Sequence, residues 1–473
     1  MLDNLILDTD SYKSSHFLQL PPGTKKLFGY LESRGGRYKD TLFFGLQPIL
    51  RRLAQGVSAN QISRAEAFMK AHGEPFPSEG WYHIANELDG KIPLRIKAVP
   101  EGTIVPVRNA LMTVETTDEK VPWIMGWFET MLMRLWYPIT VATRSLASKR
   151  VIFEHLKATS DDPLGELPFK LHDFGSRGVS SFESAGIGGA AHLVNFKGTD
   201  TIAGALYAAE HYTDLDFEHP LGFSIPAMEH STVTAWGEKG EADAFRNMLR
   251  SNRDAKLIAC VSDSYDIYRA VEEIWADELL EEVKASGKTI VIRPDSGDPA
   301  EVNVNILKIL ERKLGMRTNG KGFKVLPPYF RIIQGDGNDS EADIEKVLLA
   351  LRQHGYSASN IAFGMGGGLL QKLDRDTQKF AFKASAINVN GDWRDIKKNP
   401  KTDLGKASKG GVLDLIWAGD EYITMTCPPS NLDGAMDLLH HHGSALETVF
   451  EKGIVRRNEK FDVIRKRAGK EFA

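Results

Sequence analysis

Between residues 168 and 372 a short apolar run repeatedly breaks into residues able to bind an anion, move a proton or grip a flat ring. The breaks fall at Asp173, Asp200, Glu229, Asp263, Asp295, Asp336 and Gly364, with gaps of 27, 29, 34, 32, 41 and 28 residues. Gly335-Asp336-Gly337 and Gly364-Met365-Gly366-Gly367-Gly368 come late in the series. Glycine lets backbone N–H groups approach an anion, and a helix start adds its dipole. Two such turns at successive strand ends favour phosphate binding over plain tight turns. Arg293-Pro294-Asp295-Ser296-Gly297 places a cation and a carboxylate together. They can form a local ion pair, or hold a diol and its neighbouring phosphate. Arg177 and Arg375 add cations at the first and last breaks, and several arginines at one mouth imply a polyanion that arrives with Mg²⁺. His230 follows Glu229; a lone histidine is more often structural than catalytic, but its place among these clusters makes it a catalytic candidate. Phe174 is either an aromatic platform or a core side chain.

The gaps match one strand-plus-helix unit. Short apolar runs with polar residues always at the carboxyl end read as buried parallel strands. The expected fold class is therefore α/β, an irregular (α/β) barrel over residues 146–376 with its site at the carboxyl ends of the strands. Residues 1–145 lack this rhythm and read as α+β. Leu5-Ile6-Leu7, Leu27 to Leu31 and Leu94 to Val99 read as strands, and Ser63 to His72 and Trp127 to Leu135 as helices. Residues 377–473 supply further strands at Phe380 to Val389, Leu413 to Trp417 and Tyr422 to Thr426, and a turn at Pro428-Pro429-Ser430. This segment is expected to pack back on the N-terminal region as part of the second domain.

The chain has 473 residues, 42% of them apolar and 26% charged, with a net charge of −4. That length calls for two domains. The charge gives no bulk attraction to nucleic acid or to an anionic membrane. Cys260 and Cys427 are too few for a disulfide framework or a zinc site, and Cys260 inside an apolar run reads as buried. The start Met1-Leu2-Asp3-Asn4 has no signal-peptide pattern. Val121 to Thr143 is the most apolar stretch, but Glu129 and Arg134 and its helical spacing mark it as a buried amphipathic helix. A cytoplasmic enzyme is expected. Asp173-Phe174-Gly175 copies a kinase triplet without the other kinase motifs, so a kinase is excluded. His440-His441-His442 reads as a solvated turn rather than a metal site.

Several segments in this order resemble the nicotinamide phosphoribosyltransferase family of type II phosphoribosyltransferases. They include Asp8-Thr9-Asp10-Ser11-Tyr12-Lys13, Lys170-Leu171-His172-Asp173-Phe174-Gly175, His192-Leu193-Val194-Asn195-Phe196-Lys197-Gly198-Thr199-Asp200, Glu229-His230-Ser231-Thr232, Val261-Ser262-Asp263-Ser264-Tyr265-Asp266 and Ile292-Arg293-Pro294-Asp295-Ser296-Gly297. Gln334-Gly335-Asp336-Gly337 and Gly366-Gly367-Gly368-Leu369-Leu370 complete the set, and the likeness weakens after about residue 385.

The resemblance implies a homodimer with shared sites that joins nicotinamide to phosphoribosyl pyrophosphate, with Mg²⁺ and with ATP as co-substrate. It implies that Phe174 and Tyr12 of the other subunit sandwich the pyridine ring, that Asp200 meets the carboxamide, and that Ser224 lines the substrate site. Arg293 and Asp295 would hold ribose and pyrophosphate. Gly335, Asp336, Gly366, Gly367 and Arg375 would hold the ribose phosphate region. Arg177 and His230 would face pyrophosphate, with His230 phosphorylated from ATP, Asp266 orienting it, and Asp295 also among the catalytic groups. Arg34, Lys383 and Lys398 match phosphate-binding positions. The direct metal ligands are not identified by the match. Ser176 and Met365 stand where animal members have Tyr and Ser. The alternatives are a nicotinate phosphoribosyltransferase, which a carboxylate at Asp200 disfavours, and a binding protein without catalysis.

Overall fold

The computed structural model describes residues 3–398, 408–427 and 443–472. The chain forms two compact units, Arg144–Leu373 with Glu471–Ala473, and Met1–Thr143 with Asp374–Lys470.

The first of these units is built on six parallel strands. In spatial order they are Gly198–Thr199, Leu171–Asp173, Ile361–Met365, Phe330–Gln334, Thr289–Arg293 and Leu257–Val261. Every pairing is parallel. The two edges do not stay open. Phe223 bridges Gly198 and Ala227 bridges Ala259, both in parallel. Thr199 N–H donates to the Phe223 carbonyl at 2.9 Å and Ala259 N–H to the Pro226 carbonyl at 2.9 Å. The expected strand before Glu229 is therefore a pair of bridges rather than a ladder, because Pro226 has no N–H to donate. It still closes the sheet, which removes two edges that would otherwise present unpaired backbone.

Strand residues alternate between two buried surfaces. Ile258, Ile290 and Ile332 are buried, as are their alternating neighbours Ala259, Val291 and Ile333. The latter set clusters with Phe174, Ile225 and Ala362. These inner side chains are short or of medium length, so they leave a cavity of about 610 Å³ instead of filling the barrel. Cys260 is fully buried, and burial pushes its thiol pKa up. Helices Phe182–Leu193 and Ile202–Tyr212 cross at Gly189 and Gly204, where a Cβ on Gly204 would lie 2.6 Å from the Gly189 Cα.

The second unit holds an antiparallel sheet. Its order is Asp392–Asp395, Phe380–Val389, Thr24–Ser33, Ala110–Thr116, Leu94–Ala98, Glu447–Glu451 and Ile454–Val455. Strands from residues 380–455 thus lie beside strands from residues 24–116. The core beneath the sheet includes Trp81, Trp123, Trp127 and Phe128. Leu5–Leu7, expected as a strand, is a 3₁₀ turn whose Ile6 N–H is capped by the Asn4 side chain. Asparagine competes for local backbone groups in this way, and three residues are too few to resist it. The stretch around Val121 to Thr143 forms helix Ile124–Met133, and a second helix, Trp136–Thr159, begins beyond it with Pro138 in its first turn, where proline is tolerated. Glu129 is paired with the Lys13 ammonium at 2.7 Å. Among the described residues no helix is long and apolar enough to cross a membrane. The Pro428-Pro429-Ser430 turn and the His440-His441-His442 run lie outside the described residues.

Candidate active site

Each polar cluster occurs where a parallel strand stops and a helix must begin, so helix capping claims some of the side chains. Asp298 accepts the Ala300 and Glu301 N–H groups ahead of helix Pro299–Leu314. Ser340 caps helix Glu341–Gln353. Asp266 accepts the Tyr268 and Arg269 N–H groups and starts helix Ile267–Arg269. A cap of this kind satisfies donors that the helix cannot.

The ring slot forms at the end of strand Leu171–Asp173. Phe174 N–H donates to the Met365 carbonyl at 3.0 Å. Its ring lies against Gly364, where a Cβ would fall 2.0 Å from a ring carbon. The half-buried ring also lines the cavity, so it is at once a packed side chain and a platform. Asp200 follows strand Gly198–Thr199, and its N–H donates to the Asp173 carbonyl at 2.9 Å. Helix Ile202–Tyr212 has no side-chain cap, so Asp200 is not used there. Its carboxylate instead accepts the Ser224 hydroxyl at 2.5 Å, and both line the same cavity as Phe174. Asp173 beneath them is fully buried. Burial pushes its pKa up to about 7 against the opposing pull of the Gly175 N–H and the Thr201 hydroxyl, with the Asp200 charge adding to the rise. His172, also on the cavity wall, is held below its ordinary pKa by burial, which outweighs the Asp200 carboxylate.

The second cluster centres on His230, the first residue of helix His230–Thr234. Its Nε2 lies 3.0 Å from Asp263 Oδ1. The other Asp263 oxygen accepts the Asp295 N–H at 3.0 Å and the Ser296 hydroxyl at 2.6 Å. Asp263, not Asp266, is therefore the carboxylate that orients the histidine. The Asp263 side chain is 3% exposed, whereas the His230 side chain that it meets is 46% exposed and reachable from solvent. Arg293 Nε lies 3.8 Å from Asp295 Oδ1, while the same nitrogen is buried and makes no hydrogen bond. A Cβ on Gly335 would fall 2.0 Å from Asp295 Oδ1, so only glycine admits this approach.

Gly335 and Asp336 occupy the loop after strand Phe330–Gln334, and Gly366 and Gly367 begin the short helix Gly367–Leu370 after strand Ile361–Met365. Gly178 packs on Gly367, placing the exposed Arg177 turn beside the same loop. The remaining expected residues belong to the other unit. Tyr12 is 57% exposed on the 3₁₀ helix Ser11–Leu18. Arg34 Nε donates to Glu32 at 3.1 Å, and its buried Nη2 has no hydrogen-bond partner among the described residues. Lys383 lies in strand Phe380–Val389; burial lowers its pKa, and Arg34, Lys13 and Lys398 act in the same direction. Lys398 is exposed, and Arg375 opens a short 3₁₀ turn with its guanidinium 3.6 Å from Asp376. Sequence reasoning overlooked Asp263 as the histidine's partner and Ser296 as its support. The Asp266-Ile267-Tyr268 start of a helix was the signal that Asp266 had other work.

A parallel α/β barrel with anion-ready glycine turns, arginines and a histidine–carboxylate pair at the carboxyl ends of its strands is the arrangement of a phosphoribosyltransferase. Residues 169–451 match the nicotinate phosphoribosyltransferase (NAPRTase) family, and residues 4–96 match the N-terminal domain of nicotinamide phosphoribosyltransferase. The chain is 51% identical over 470 residues to a nicotinamide phosphoribosyltransferase of Xanthomonas campestris pv. campestris, covering 99% of this chain and 98% of that one. It is 32% identical to a nicotinamide phosphoribosyltransferase of Mycoplasma genitalium, over 86% of this chain and 94% of that one. Among solved structures, the fold is similar to nicotinate-nucleotide pyrophosphorylase from Pyrococcus furiosus, with a TM-score of 0.62, 15% identity and 99% and 96% of the two chains covered. It is also similar to human nicotinic acid phosphoribosyltransferase, with a TM-score of 0.53, 15% identity and 97% and 92% covered. The chain belongs to the nicotinate phosphoribosyltransferase family and is a pentosyltransferase.

Proposed function

We propose that this enzyme condenses nicotinamide with phosphoribosyl pyrophosphate to give nicotinamide mononucleotide and pyrophosphate, a step of NAD biosynthesis. The observation that carries the choice of base is the Asp200–Ser224 pair beside the Phe174 ring. A carboxylate facing a flat slot accepts an amide N–H₂ and repels a substrate carboxylate. Relatives named nicotinamide phosphoribosyltransferase support the same reading.

The reaction asks for placement and charge neutralisation. As the C1–pyrophosphate bond loosens, the pyridine nitrogen attacks an oxocarbenium-like carbon. Phe174 places the ring, and Arg293 and Arg177 neutralise the departing pyrophosphate. Asp295 holds the ribose hydroxyls, and the loops of Gly335, Asp336, Gly366 and Gly367 hold the 5-phosphate. Among the described residues no three His, Cys, Asp or Glu side chains gather into a metal-binding group. Mg²⁺ favours one or two carboxylates plus substrate phosphates, a set that Asp295 and Asp336 fit. When bound, it would neutralise diphosphate charge.

His230 would accept phosphate from ATP. Its Nε2 proton is directed at Asp263, which leaves the Nδ1 lone pair as the nucleophile. Attack there releases ADP, and later hydrolysis of the phosphohistidine regenerates the imidazole. We place the enzyme in the cytoplasm as a homodimer in which Tyr12, Arg34, Lys383, Lys398 and Arg375 complete the sites. Pyrophosphate release measured with nicotinamide and with nicotinate, each with and without ATP, tests the reading. Faster turnover of nicotinate would replace it with the nicotinate enzyme, and no release with either base would remove it.

A further inference from the structure

We infer that Arg144 is a positioning residue that staples the two phosphate-binding loops into one cradle; this rests on the phosphoribosyl reading of those loops. Arg144 is 2% exposed on helix Trp136–Thr159, far in sequence from either loop. One guanidinium nitrogen donates to the Lys372 carbonyl at 3.0 Å, and another donates to the Asp339 carbonyl. Asp339 ends the loop that carries Gly335 and Asp336. Lys372 follows the short helix Gly367–Leu370, which Gly366 and Gly367 begin. A single rigid fork therefore spans the far ends of both.

Other contacts tie the same loops at different heights. At the near end, the Asn338 side-chain amide, 3% exposed, donates to the Gln334 carbonyl at 3.0 Å and the Gly364 carbonyl at 3.4 Å. At the far end itself, the Lys372 ammonium also pairs with the Asp339 carboxylate. Gly368 sits so close to Asp339 that a Cβ on it would lie 2.8 Å from the Asp339 Cα. The glycines that would meet phosphate lie between these ties.

Burying a guanidinium is costly unless fixed acceptors replace its water. Here those acceptors are backbone carbonyls whose positions set the spacing of the two loops. Arginine suits the task because its planar fork holds two acceptors at a set separation, which a lysine ammonium on a flexible stem does not. The effect should fall on the phosphate end of the substrate, since neither loop end touches the Asp200–Ser224 pair.

The test is Arg144→Lys, which keeps the charge and loses the fork. The KM for phosphoribosyl pyrophosphate should rise about tenfold or more, in line with losing one of two charged-donor bonds. The KM for nicotinamide and kcat at saturating phosphoribosyl pyrophosphate should stay within about twofold. A merely structural role would lower the melting temperature and the active fraction, hence kcat, with both KM values unchanged, and that pattern overturns the proposal. Should Arg144→Lys fail to fold, Asn338→Ser cuts the same pair of loops at the near end and must show the same selective KM rise; an unchanged KM there overturns it equally. Calorimetric affinity for ribose 5-phosphate, compared between variant and wild type, reads the cradle without turnover. Wild type that binds ribose 5-phosphate yet uses neither base would sink the substrate reading while leaving this comparison valid.

Discussion

Asp263 lies between His230 and the Asp295–Ser296 turn, bonding Nε2 of the histidine with one oxygen and the turn's N–H and hydroxyl with the other. The histidine and the loop that would hold ribose therefore share one buried carboxylate. Asp263→Asn should lower ATP hydrolysis by about tenfold or more, since an amide donor misaligns the imidazole and a charged hydrogen bond contributes roughly 1.5–3 kcal/mol. His230→Ala should abolish the hydrolysis and leave some ATP-independent synthesis. Asp266→Ala should instead cost about 1 kcal/mol of stability as a lost helix cap, with ATP hydrolysis retained. A variant at Asp266 as deficient in ATP hydrolysis as the one at Asp263 would reverse the two roles.

Asp200 and Ser224 should govern the choice of base. Wild type is expected to favour nicotinamide over nicotinate by about tenfold to a hundredfold in kcat/KM, where ~1.4 kcal/mol is tenfold. Asp200→Ser should weaken nicotinamide use and relax the exclusion of nicotinate. Ser224→Ala should narrow the preference less, because the carboxylate stays while its orienting hydroxyl is gone. An unchanged preference ratio in Asp200→Ser would show that the carboxylate plays no part in selection.

Asp173 should give stability a pH slope. Its folded pKa is about 7 and its ordinary value 3.8. Between these values the folded chain keeps a proton that the unfolded chain has lost, so this group's contribution falls as pH rises from about 4 to about 7 and is level on either side. Asp173→Asn keeps an acceptor for the Gly175 N–H and has no charge to bury. Its melting temperature relative to wild type should therefore climb across that window. The free-energy difference should reach a few kcal/mol at most, because each pH unit crossed is worth about 1.36 kcal/mol. Parallel pH profiles for the two proteins would rule this out.

A shared site makes inactive chains complement each other. Mixed dimers of Tyr12→Ala and Asp295→Ala chains should regain activity at one site in each dimer, since each chain keeps what the other lacks. Isolated heterodimers with no more activity than either parent would exclude supply of Tyr12 from the partner.

Much of the barrel was legible because a strand buried on both faces must be a short continuous apolar run, as in Ile258-Ala259-Cys260-Val261 or Ile290-Val291-Ile292. The next helix needs polar residues to start it, so Asp, Ser, Gly and Arg gathered at the strand ends in chain order. That local grammar marked Phe174, Asp200, His230, Arg293 and the glycine turns as strand-end residues, while the roles expected of them came from the family resemblance. Local grammar also misled: Leu5-Ile6-Leu7 has strand composition, yet Asn4 turned it into a 3₁₀ helix. What only tertiary structure decided are relationships between distant segments. Asp263 and Asp266 follow the same strand, and their roles separated once one faced the histidine and the other met helix N–H groups. The closing of the sheet across Pro226 depends on two edges arriving side by side. Arg144 carries no sequence signal, because a guanidinium that binds backbone carbonyls needs no particular residue type at its partners. Burial periodicity and caps are encoded residue by residue, whereas which polar groups share a dry space is set only when the strands align.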